Sequence, residues 1–158
     1  MSSNFDIAID ANKTVDQILE LGTYSGKCVI QVANKTGHTL VRVGAHNDSS
    51  TWPVGNIGAL RTAGSQLSGN EFHDSLSFAA NYAIEGTGKH VQFAVSWPPI
   101  GSRKIEVGTN NEPGSSAAKE TWRKMSNFSD KAVNNPPFQV CATLKHRDGV
   151  LIWFFEVK

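Results

Sequence analysis

Val150-Leu-Ile-Trp-Phe-Phe-Glu-Val157, the stretch just before the last residue, decides the fold. Successive side chains of a strand point to opposite faces, so a run that is apolar on both faces must be covered on both sides. That is the position of a central strand in a β-sandwich. Immediately upstream, Phe138 to Leu144 reads as the other arm of a closing hairpin that turns at Lys145-His-Arg-Asp-Gly149.

Outward from this hairpin the chain reads as short strands separated by turn residues. Lys27-Cys-Val-Ile-Gln-Val-Ala33 is a strand, Asn34-Lys-Thr-Gly37 a turn, and His38-Thr-Leu-Val-Arg-Val43 returns as the second arm of a hairpin. His46 to Asn70 is mostly loop, with Trp52-Pro53 and Ile57 to Leu60 as its apolar islands. Ser75 to Glu85 is a strand, Gly86-Thr-Gly88 a tight turn, and His90 to Trp97 alternates with Val91, Phe93, Val95 and Trp97 on one face. Pro98-Pro99 stops that strand, and Arg103 to Val107 forms another. From Ser116 the period changes, because Ala118, Trp122 and Met125 lie at helical spacing, so a short helix is expected near residues 116–127 with Ser116 as its N-cap.

The N-terminus reads differently. From Phe5 to Gly22 the apolar residues Ala8, Ala11, Val15, Ile18 and Leu19 recur at helical spacing, and Asp6, Asp10, Lys13, Gln17 and Glu20 recur on the other side. The expectation is one domain over residues 1–158, in which an amphipathic helix spanning 1–23 leads a mainly β body over 24–158. Eighteen helical residues reach about 27 Å, close to the roughly 30 Å of a bilayer's hydrocarbon layer. A single copy would place carboxylates in lipid at about 2.5 to 3.5 kcal/mol each near the centre, so spanning needs several copies around water. Asp6, Asp10, Asp16 and Glu20 would then line a cation-preferring pore. One copy can instead lie flat at the interface, or pack Ile18, Leu19 and Leu21 on the sandwich.

Composition excludes several functions. The net charge of +1 lacks the dense basic patch of a nucleic-acid binder. It conceals an acidic segment of −3 up to Gly22 and a remainder of +4. Cys28 and Cys141 are too few for a disulfide scaffold and read as buried thiols. No basic leader or long apolar run is present, so a soluble chain made in the cytosol without a signal peptide is expected. The sequons at Asn12, Asn34, Asn47 and Asn127 would matter only on secretion by another route.

Catalytic chemistry is sparse. Only His73-Asp74-Ser75 gathers triad residue types, and neighbours on a strand face opposite ways, which precludes a relay. Gly86-Thr-Gly88-Lys89 lacks the earlier glycine of a phosphate loop and is followed by a strand. The five histidines show no i, i+2 or i, i+4 pair, so no metal, cofactor or catalytic residue is expected. The tryptophans suggest surface binding instead: Trp122, with Lys119, Arg123 and Lys124 around it, suits a headgroup layer. Trp52 reads equally as an exposed anchor or a loop plug, Trp97 more often as core, and Arg103-Lys104 as a pair that could hold phosphate but more often is just solvated.

In this order of elements the chain resembles the actinoporin-like pore-forming cytolysins, over nearly its whole length. Thr14 to Gly22 is similar to the end of the family's membrane helix, Lys27 to Gly37 to its first strand and turn, Ala117 to Asn127 to its surface helix, and Gly149 to Lys158 to its final strand. Ser96-Trp97-Pro98 resembles the family's Ser-Val-Pro, whose Ser and Pro help to bind phosphocholine. The resemblance implies an actinoporin-like β-sandwich that binds membrane lipid (sphingomyelin or another phosphocholine lipid), self-associates on the membrane and inserts its N-terminal helix into target cells. Ser96, Trp97, Pro98, Trp122, Arg123 and Trp52 are then the candidate headgroup contacts. This chain departs from the family in the loop Pro99-Ile-Gly-Ser-Arg-Lys104, which is shorter and nearly devoid of aromatics, and in the missing tyrosines of the surface helix. Another lipid or a glycan remains open as the ligand. A weaker resemblance, to the sphingolipid-recognising aegerolysins, rests on the Asn-x-Thr-Gly and Ser-Trp-Pro-Pro stretches; the depleted aromatic platform keeps open a lectin-like or sphingolipid-binding recognition module that never perforates.

Overall fold

The computed structural model describes residues 2–68, 76–98 and 100–158. His73, Asp74, Ser75 and Pro99 lie outside them. In chain order the elements are β1 (Ser2–Ala8), α1 (Val15–Leu19), β2 (Cys28–Asn34), β3 (Leu40–Asn47), β4 (Arg61–Leu67), β5 (Leu76–Ile84), β6 (Lys89–Trp97), β7 (Lys104–Gly108), α2 (Ser115–Arg123), β8 (Ser126–Asn127), β9 (Lys131–Asn135), β10 (Phe138–Arg147) and β11 (Val150–Val157). The fold is mainly β. One sheet has the order β1-β4-β2-β11-β10-β9 and the other β3-β5-β6-β7-β8. A core containing Ile30, Trp52, Phe78, Tyr82, Phe93, Trp153 and Phe155 joins their inner faces.

β11 is buried at every position, as its composition demands, because it is covered twice. Trp153 and Phe155 point between the sheets, whereas Ile152 and Phe154 point outward and are roofed by Ile9, Ile18, Leu19 and Tyr24. The strand is parallel to β2 on one side and antiparallel to β10 on the other. The opposite sheet is roofed more thinly, by Ala118, Trp122 and Met125 of the α2 region over Ala79 and Ala94.

The long amphipathic helix is not formed. Ser2–Ala8 is an edge strand opposite Arg61–Leu67, and helix is confined to Val15–Leu19. Phe5, Ile7 and Ile9 carry a period of two that prevails over the coincidental spacing of Ala8 and Ala11, both of which are exposed. Thr14 fixes the late helix start. Its hydroxyl accepts from the Gln17 N–H while Gln17 accepts from the Thr14 N–H, a capping box that closes the chain's first turn. Ile18 and Leu19 are 1% and 3% exposed, so the roof is also part of the core. Asp6 pairs with Arg61, and Asp16 lies 3.4 Å from Lys145. Asp10 and Glu20 are exposed.

Three further expectations change. The segments either side of Asn34-Lys-Thr-Gly37 do not pair as a hairpin: β2 and β3 belong to different sheets, and the turn is an arch between them. Asn34 holds the arch. Its buried amide donates to the carbonyls of His38, Ile57 and Gly58, and its oxygen accepts from the Thr36 N–H and hydroxyl. The supposed loop from His46 to Asn70 also contains β4, an interior strand of small polar residues. Gly64 makes room for it, since a Cβ there would come within 2.5 Å of the Phe5 ring and 2.7 Å of the Ile30 carbonyl oxygen. Finally, α2 is capped by Gly114 at φ +93° and not by Ser116.

Candidate functional site

The candidate site is the end of the sandwich where β6 leaves the core and β7 returns. Ser96 is paired with Lys104, so Trp97 and Arg103 face one another across the mouth of the loop that joins the two strands. Trp97 is half-buried and leans on Trp153 of the opposite sheet, 5.6 Å between centroids, closing the end of the core. Arg103 lies over the other indole, its guanidinium carbon 4.7 Å from the Trp97 ring. Pro98 is half-buried, Lys104 exposed, and Gly101 makes the reversal at φ +108°. At the tip, Ile100 is 91% exposed, by far the most exposed large apolar side chain among the described residues.

α2 brings a second group to the same end. Its start is fixed by Asn81, which donates to the carbonyls of Glu112 and Gly114. Four residues earlier on β5, Ser77 accepts a 2.8 Å hydrogen bond from the Trp122 indole N–H. The helix therefore runs along β5 toward the Trp97 end. Ser77 is paired with Ser96, which places Ser96 on the face that α2 covers. Close docking depends on Gly44, where a Cβ would lie 2.3 Å from the Gly114 carbonyl carbon. Trp122 is half-buried against the His46 ring, at 4.6 Å, while Lys119, Arg123 and Lys124 face solvent.

Ser96, Trp97, Pro98, Trp122 and Arg123 are thus gathered at one end. Trp52 is not with them. It is 1% exposed, stacked on Phe93 and edge-on to Phe78 at the centre of the core, with its indole N–H donated to the Tyr82 hydroxyl at 2.8 Å. Of the proposed inserting residues, Ile18 and Leu19 are buried, Val15 half-buried, and Ala8 and Ala11 exposed. Asp6, Asp10, Asp16 and Glu20 lie along β1, the following turn and α1, and share no helix face.

Arg103 is the residue that sequence reasoning undervalued as solvated. The signal was present in the hairpin: once Ser96 and Lys104 pair, the next residues outward must meet. Among the described residues, two donors at this end lack acceptors, Nε of Arg103 and Nε1 of the fully buried Trp153.

The largest cleft among those described, about 510 Å³, lies elsewhere, lined by Gln92, Glu106, Gly108, Asn110, Glu120 and Lys124 among others. Its polar groups satisfy one another. Gln92 bonds Asn81 and Asn110, Asn110 donates to Glu120, and Lys124 holds the Glu120 carboxyl below its usual range. No aromatic ring lines it, so it lacks a stacking platform for a saccharide. Among the described residues no three His, Cys, Asp or Glu side chains gather as metal ligands, and no helix is long and apolar enough to cross a membrane. Compared with known proteins, the chain matches no family model and no curated sequence.

Proposed function

We propose that this chain is a membrane-binding β-sandwich of the actinoporin type, which attaches to lipid through the Trp97 end and perforates the bilayer after releasing its N-terminal segment. The observation that carries the attachment is Ile100, held almost fully in water at the tip of the β6–β7 loop above Trp97, Pro98 and Arg103. Leaving such a side chain in water forgoes about 1.5 to 3 kcal/mol, which an interface returns. Trp122 and the cations of α2 on the same end extend the contact. The two-sheet sandwich roofed by one helix on each side supports the family resemblance.

Release of the N-terminus is favoured by its position. Among the described residues, β1 is an edge strand bonded to β4 alone, and α1 has one ion pair to the body, Asp16 with Lys145, of which Asp16 is largely exposed. Insertion then requires residues 2–22 to leave the sheet and refold as helix. Simple deletion of these residues is a poor test, because it strips Ile9, Ile18 and Leu19 from the roof over Ile152 and Phe154. A reversible lock is better. Asn4 and Ser65 are register partners, within the Cα separation of a disulfide. The oxidised Asn4→Cys/Ser65→Cys variant should sediment with vesicles of phosphatidylcholine mixed with phosphatidylglycerol yet release no trapped dye, and reduction should restore leakage. Leakage from the locked form contradicts release, and leakage from neither form leaves a binding module that never perforates.

A further inference from the structure

We propose that the Trp97 end recognises the phosphate of an anionic lipid and not a choline cation, with Arg103 as the principal contact; this rests on the membrane-binding reading above. A quaternary ammonium is held by an aromatic face within about 6 Å of the charge. At this end the guanidinium of Arg103 already occupies a face of Trp97, at 4.7 Å. A choline brought to that face would meet a fixed positive charge. Trp122, the second tryptophan at this end, offers no better cage, since its ring packs on His46 and its N–H is committed to Ser77.

What the end lacks is an acceptor. Among the described residues Arg103 has no ion-pair partner and its Nε–H no hydrogen-bond acceptor, although that atom is removed from water. The fully buried Trp153, its ring tilted at 51° against Trp97, has an indole N–H in the same condition. Both groups can only donate. An orphaned buried donor is costly, and a guanidinium edge meets a phosphate with paired hydrogen bonds, so phosphate oxygen is the chemistry that completes the site. The stacking on Trp97 holds the fork in place before the ligand arrives. Lys104, exposed beside it, and Arg123 at the end of α2 add cationic charge, with Ile100 projecting alongside.

The test is sedimentation of the full chain with three vesicles: phosphatidylcholine alone, equimolar phosphatidylcholine and sphingomyelin, and equimolar phosphatidylcholine and phosphatidylglycerol. Binding is expected with the phosphatidylglycerol vesicles, weakening as salt rises. Arg103→Gln should lose at least about tenfold in affinity, and Arg103→Lys should not fully restore it, because an ammonium lacks the planar fork. Lys104→Gln, at an exposed position that leaves the fold intact, should lose about fivefold. Binding to either choline-lipid vesicle as strong as to the phosphatidylglycerol vesicles, or an Arg103→Gln variant that keeps its phosphatidylglycerol affinity, overturns the proposal while leaving membrane attachment standing. Binding to no vesicle overturns both. Saturation by inorganic phosphate without binding to anionic vesicles overturns it in favour of a site for a free anion.

Discussion

Trp52 donates its indole N–H to the hydroxyl of Tyr82 at 2.8 Å, and that hydroxyl donates onward to the carbonyl of Val54 at 2.7 Å. The pair pins the β3–β4 connection into the centre of the sandwich. Replacing Tyr82 with Phe keeps the ring and strands the indole donor, while the Val54 carbonyl keeps only its bond from Arg42. The expected cost is about 1 to 3 kcal/mol in a denaturant titration, with vesicle binding at protein concentrations below the unfolding transition unchanged. A Trp52 acting as a surface anchor would give the opposite pattern, with stability preserved and binding reduced.

Asn34 makes a prediction of sign as well as size. Its amide faces three carbonyl oxygens, so Asn34→Asp presents an acceptor where a donor is required, despite nearly the same shape. Asn34→Ala should cost about 2 to 4 kcal/mol, and Asn34→Asp at least as much. An Asp variant as stable as the parent would show that the arch is held by something else. Because the side chain is buried, Asn34 is also closed to glycosylation in the folded chain.

Alkaline pH should expose the buried thiol. Desolvation pushes Cys28 from an ordinary value near 9 up to about 12, against a smaller opposing effect of Lys27. Below pH 9 the thiol is neutral in both folded and unfolded chains and stability is unaffected. As pH climbs from 9 toward 12 the unfolded chain ionises first, so the folded state binds the extra proton and stability falls by up to about 1.4 kcal/mol per pH unit. Tyr82, also raised by burial, adds to the decline above pH 10. Cys28→Val should flatten the slope between pH 9 and 10, leaving the part due to Cys141, whose half-buried thiol is raised chiefly by desolvation. An unaltered slope in that variant contradicts the assignment.

The residues that declared themselves in the sequence are those whose environment is local or uniform. β11 is apolar on both faces because it is central, and β6 alternates because its inner side chains meet the core. The positions that misled are those where a neighbour decides. β1 and the residue after it carry a period of two in Phe5, Ile7 and Ile9, while a stronger helical spacing runs through Ala8 and Ala11, which are exposed. β4 is polar and small because it lies between β1 and β2 with Phe5 across Gly64, a relation no local pattern announces. Trp52 looks like a loop residue from its neighbours Thr51 and Pro53, and only the Tyr82 contact draws it inward. At the candidate site, Ser96, Trp97 and Pro98 were marked by resemblance, whereas the cover of Arg103 over Trp97 needed the strand register.

The most direct measurement is vesicle sedimentation of the parent chain beside Ile100→Asp, on equimolar phosphatidylcholine and phosphatidylglycerol. Ile100 touches solvent almost entirely, so its replacement should leave the unfolding transition within about 0.5 kcal/mol. Membrane attachment through the β6–β7 loop predicts that the parent sediments and that the variant loses at least about tenfold in affinity. Equal sedimentation of the two proteins, or none by either, would contradict it.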